Sequence, residues 1–104
     1  MAETSGRGKK AVEPWCRNKA ELNDFLAFVI VYGPDAFPAD TNMDMPRAIE
    51  EIKAGLERCA GELGGVACSD ELIALVNKAN AQIRAGHLVQ GWHLLQDVKH
   101  ALKA

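Results

Sequence analysis

The sequence predicts an all-α fold: a small four-helix bundle-like domain that ends in a C-terminal antiparallel helix hairpin. Three observations carry this. Apolar residues recur at spacings of three and four in Ile49–Leu63, Leu72–Ile83 and Leu88–Leu102, the period of a helix with one buried face. Capping residues or glycines punctuate the periodic stretches. Only Phe25 to Tyr32 has the β-branched and aromatic composition of a strand, and no second segment offers it a partner. At 104 residues the chain is one small domain. A chain of this size buries roughly two-thirds of its unfolded surface, enough for a core without disulfide staples.

Residues 1–13 read as a flexible basic tail with Arg7, Lys9 and Lys10, and residues 14–104 as a single helical domain. Pro14 favours an extended approach. Trp15 is too large and apolar for solvent, so it is expected to pin the tail to the body. Asn18 and Glu21 form a capping box, with Glu21 reaching back to the amide of Asn18. A first helix then runs from about 19 to 32. Gly33 is expected in the left-handed cap conformation, and Pro34 stops the helix. The stretch 33–42 is a loop, with Phe37 as its anchor in the core.

The second helix starts near Asp44, which suits the N-cap, and Pro46 is tolerated in its first turn. Ile49, Ile52, Leu56, Cys59 and Leu63 form its apolar stripe, and Gly64-Gly65 ends it. Its other face pairs Arg47 with Glu51, Lys53 with Glu57, and Arg58 with Glu62 at i,i+4. Ser69 is expected to cap the third helix, with Asp70 and Glu71 favoured by the helix dipole. Leu72, Leu75, Val76, Ala79 and Ile83 are its stripe, and Gly86 ends it. The fourth helix runs from about Leu88 to Lys103 on Leu88, Trp92, Leu95, Val98 and Leu102. The short glycine-bearing connection between the last two helices forces an antiparallel hairpin. From Leu75 to Leu102 this hairpin is similar to one tetratricopeptide-type unit, on Ala79, Gly86, Gly91 and Leu95. Lys78 and Gln82 depart from that pattern, and there is no second copy. The resemblance implies a protein-interaction surface and assigns no binding residue.

Composition excludes several function classes. Hydrophobic residues are 48% and charged residues 25%, which excludes disordered and collagen-like chains. The net charge of −2 argues against a nucleic-acid binder, despite a local excess of Lys78, Arg84, Lys99 and Lys103 over Asp97. The three cysteines, Cys16, Cys59 and Cys68, are odd in number and lack CxxC spacing, so reduced thiols and a cytoplasmic location are expected. The first ten residues hold no apolar stretch, so no secretory signal is expected. The longest apolar run is the eight residues Phe25–Tyr32, against the about 20 that span a membrane.

No catalytic constellation stands out, so the protein is not expected to be an enzyme, and no cofactor is implied. Glu50, Glu51, Glu57 and Glu62 are spread over a solvated face. No glycine-rich stretch is followed by Lys-Ser/Thr, as phosphate binding would need. His93 and His100 lie two turns apart on one side of the fourth helix, about 10.5 Å along its axis. A metal or small-molecule site there would need Cys59 or Cys68 from a neighbouring segment. Cys68 is the cysteine to test for reactivity, since a helix N-terminus favours a thiolate.

The first helix is the informative oddity. Eight consecutive apolar residues cover every face of a helix, whereas a helix at the edge of a small bundle has a polar side. Either Phe37, Trp15 and the loop cover it, or another protein does. The expected function is protein interaction, as an adaptor, chaperone, immunity or inhibitor protein, or regulatory subunit. The partner is another protein or a second copy in a homodimer. Phe28, Val31 and Tyr32 are the expected interface residues, with Trp92 second.

Overall fold

The computed structural model describes residues 16–103. The expected basic tail and Trp15 lie outside the described residues. The described residues form four helices: α1 (Lys19–Tyr32), α2 (Met45–Arg58), α3 (Val66–Arg84) and α4 (Leu88–Lys103). Short 3-10 turns at Ala39–Thr41 and Ala60–Leu63 sit in the first two connections. The fold is the small all-α helical bundle that the sequence predicts, with α3 and α4 as its most extensively packed pair.

The helices alternate in direction. Gly33, at the end of α1, lies beside Met45 at the start of α2. Lys53 of α2 donates to Asn77 of α3 at 3.2 Å, and Ser69 of α3 reaches Leu56 of α2. Gly33 also lies beside Trp92 in the first half of α4, while Lys19 and Ala101 line one depression at the opposite end. Each helix therefore packs antiparallel on two neighbours, in the ring α1–α2–α3–α4–α1. The shared core holds Leu22, Leu26 and Val29 from α1, and Ile49, Ile52 and Leu56 from α2. Val76 and Ala79 of α3 and Leu95 and Val98 of α4 complete it. Fully burying one such large aliphatic side chain is worth about 1.5–3 kcal/mol.

The local signals hold for two helix starts. The Asn18 side chain accepts from the Glu21 amide, and Asp44 from the Arg47 amide, both at 2.9 Å. The Glu21 carboxylate does not serve the Asn18 amide, however. It accepts from the Arg17 amide at 3.0 Å and from the Arg17 guanidinium at 2.9 Å, because the charged group one residue earlier offers a stronger partner.

Four further expectations are corrected. Gly33 is not left-handed: its φ is −73° and its ψ 163°. Glycine is needed there for space, since a Cβ would come within 2.7 Å of the Val29 carbonyl and 3.0 Å of Trp92. The following bond to Pro34 is cis. Secondly, α2 stops at Arg58, and the chain tightens into the 3-10 turn before Gly64 at φ +95°. Cys59 stays buried, and Leu63 is half-buried against the core.

Thirdly, Ser69 does not cap α3. The helix starts at Val66 behind Gly65, and Ser69 lies inside it, 1% exposed. Its hydroxyl donates to the Leu56 carbonyl at 2.8 Å, where α2 ends with carbonyls that lack a helical partner. The hydroxyl thus closes the end of one helix from within another. Asp70 and Glu71 are consequently outside the first turn of α3. Finally, the charged face of α2 pairs differently from the i,i+4 scheme. Lys53 reaches Glu50 at 3.0 Å, Arg58 reaches Glu51 at 3.7 Å, and Arg47 donates to the Asn42 carbonyl.

Candidate functional site

The apolar run of α1 divides by depth. Phe25, Leu26 and Val29 face the core, while Ala27, Phe28 and Ile30 are half-buried. Phe28 sits among Phe25, Tyr32 and Phe37, with ring centroids 5.8, 5.2 and 5.6 Å away. Phe37 therefore does anchor the loop and covers one flank of the helix. Trp92 is half-buried too, seated against Gly33 and packed on the core. Val31 and Tyr32 remain exposed, at 70% and 40%. The four expected interface residues thus separate into two that pack inward, Phe28 and Trp92, and two that face out.

Val31 does not stand alone. With Ala27 and Ile30 it forms the α1 wall of a shallow apolar groove, whose α4 wall is Gln96, Lys99 and His100. Helical spacing puts Ala20, Asp24, Ala27 and Val31 along the side of α1 opposite the core. Apart from Asp24, that face holds small and apolar groups where an edge helix ordinarily carries charges. The α4 wall was not legible in the sequence, because α1 and α4 are far apart in the chain and meet only when the ring closes.

The histidines and cysteines do not converge. His93 and His100 are exposed, and His87 pairs with Gln82 at 2.9 Å. His100 lines the α1–α4 groove, whereas Cys68 lines a separate depression with Lys19, Glu62 and Glu71. Among the described residues, no three His, Cys, Asp or Glu side chains are gathered to hold a metal ion.

The cysteines differ sharply in environment. Cys16 and Cys59 are 0% and 1% exposed, whereas Cys68, now in the first turn of α3 instead of ahead of it, is exposed. Burial raises the Cys16 thiol from its ordinary 9.0 to about 12, with the Glu51 carboxylate adding to the rise and Arg58 opposing it. Burial also raises Cys59. The sequence did not reveal how Cys16 is held. Its N–H donates to Glu51 at 3.1 Å and its carbonyl accepts from Arg58, so two side chains of α2 grip its backbone. Gly55 makes room, since a Cβ there would meet the Cys16 Cβ at 2.7 Å.

These environments predict that a thiol reagent at neutral pH labels Cys68 alone in the native protein and all three cysteines after denaturation. Mass spectrometry of the labelled chain checks this, and rapid native labelling of Cys16 would contradict the burial. The raised Cys16 value also sets a direction in pH. The folded thiol keeps its proton between pH 9 and 12 while the unfolded thiol loses it. Its contribution to stability is complete below pH 9 and falls as pH rises towards 12.

Among the described residues, no helix is long and apolar enough to cross a membrane. Comparisons with protein-family models, curated proteins and solved structures found no match, so the functional reading rests on this chain's own residues.

Proposed function

We propose that this chain is a small helical protein that acts by binding another protein through the α1–α4 face centred on Val31, and that it catalyses no reaction itself. The observation that carries the reading is the 70% exposure of Val31 beside the apolar groove of Ala27 and Ile30. Tyr32, also exposed, follows Val31 at the end of α1 and packs on Phe28. Contiguous apolar surface on a small soluble domain marks interaction sites more often than it arises by chance. A specific partner typically covers about 800 Å² on each side, so the contact reaches beyond the groove to the neighbouring surfaces of α1 and α4. All three cysteines are free, which suits a reducing, cytoplasmic setting.

Val31→Glu tests the reading. The side chain is mostly solvated, so the fold should change by no more than about 0.5 kcal/mol. Helicity by circular dichroism and the melting temperature should therefore match the wild type. A charge at the centre of the patch should abolish association, read by comparing tagged wild type and variant for co-purifying protein, including untagged copies of the chain. Equal association by the two forms would refute the role of this face. Phe28→Glu is no substitute, because Phe28 packs among three aromatic rings and its loss disturbs the fold.

A further inference from the structure

We propose that the protein seated on the α1–α4 face is a second copy of this chain, joined through a two-fold axis that runs along the groove. The proposal rests on the binding function above and names the partner which that reading leaves open. The argument is one of charge. On the α1 side stands Asp24, exposed, one turn before Ala27 and two turns before Val31. On the α4 side stand Lys99 and His100, at the wall of the groove. No hydrogen bond or ion pair joins the side chains of Asp24, Lys99 or His100 to any described residue. One face thus carries an unpaired acid on one flank, unpaired bases on the other, and apolar groups between them.

The two flanks stand at similar heights. Lys99 and Ala27 line the same groove. Asp24 precedes Ala27 by three residues, about 4.5 Å along α1. The difference is less than one helical turn, within the reach of a lysine side chain. A two-fold axis parallel to the helices lays α1 of each copy over α4 of the other. Asp24 then meets Lys99 and His100 of the second copy twice, once on each side of the axis, and Val31 enters the opposing groove. The two Asp24 side chains stay apart, as do the two Lys99 side chains. An isologous contact requires this self-complementarity, and a foreign partner does not.

The test is solution mass by light scattering on the full chain at two concentrations, with circular dichroism on every variant. The wild type should run at twice its 11.3 kDa. Val31→Glu should run as a monomer with unchanged helicity. Asp24→Lys or Lys99→Glu should weaken dimerisation by about tenfold, because each places like charges face to face. The double variant Asp24→Lys/Lys99→Glu should recover most of the lost affinity, a rescue that a merely structural role cannot give. A monomeric wild type at both concentrations, a dimer indifferent to Val31→Glu, or a double variant no tighter than the singles would each overturn the proposal. A monomeric wild type that binds a different protein, and loses it with Val31→Glu, overturns the second copy and leaves the binding function standing.

Discussion

Truncating Leu95 to alanine should lower the unfolding free energy by about 2–5 kcal/mol, the range for removing a large aliphatic side chain from a packed core. Leu95 is 0% exposed and lies on α4 in the shared core. Its loss removes both the transfer energy of the deleted carbons and the contacts of the atoms that surrounded them. Domains of this size hold only about 5–15 kcal/mol in total. In a domain of 60–100 residues each kcal/mol moves the melting temperature by roughly 4–8 °C, so the midpoint should fall by about 10 °C or more. Leu88 supplies the internal comparison. It belongs to the same apolar stripe in the sequence but is 40% exposed. Leu88→Ala should cost much less, and paired thermal melts would show the difference. Equal losses at the two positions would mean that the depth assigned to them is wrong.

The second large effect is expected where α3 and α4 touch. Gly91→Ala should destabilise by about 1–3 kcal/mol through overpacking, although alanine is the better helix former by about 1 kcal/mol. A Cβ on Gly91 would lie 2.4 Å from Cγ1 of Ile83 and 3.1 Å from the Ala79 carbonyl. Ile83 is buried and β-branched, so its side chain has few rotamers into which to withdraw. The two helices must move apart, and they form the most extensive pair in the bundle. Gly61 is the matched control. It sits in the 3-10 turn after α2, and a Cβ there meets nothing within 4 Å. Gly61→Ala should be neutral or stabilising by about 0.4–1 kcal/mol, through the unfolded chain alone. Chemical denaturation of both variants separates the cases, and a Gly91→Ala protein as stable as wild type would argue against the close approach.

What was legible in the sequence follows a physical boundary. The starts of α1 and α2 are set by Asn18 and Asp44, whose side chains bond amides three residues away. Such signals lie within a few residues of the sequence and can be read there. Ser69 shows where that reading stops. A serine ahead of two acids looks like an N-cap, yet its hydroxyl serves a carbonyl thirteen residues earlier on another helix. Gly33 and Gly91 look like turn and spacing residues, but the atoms that demand glycine there include Trp92 and Ile83 on other helices. The candidate site has the same character. The run from Phe25 to Tyr32 announces too much apolar surface for one helix, and that much is plain from its composition. Which of its members end outside depends on Phe37 closing over Phe28 and on α4 arriving beside Ile30. Neither is local. The resemblance of the last hairpin to a tetratricopeptide-type unit reflects the same close helix contact at Gly91, and no family model matches the chain.

The pairing of α1 with α4 has a consequence for how the chain is threaded. The first and last helices of the body are neighbours, and Lys19 and Ala101 share a depression at one end. The bundle is thus a closed circuit of four interfaces traversed by only three connections. What seals the fourth interface is side-chain packing alone, with no covalent link between its helices. A linker from the end of α4 to the start of α1 would complete the circuit, and the backbone could then be opened at Ala85–His87 with every helix contact kept. The architecture belongs to the ring of contacts, and the order in which the ribosome delivers the helices is one of several routes around it.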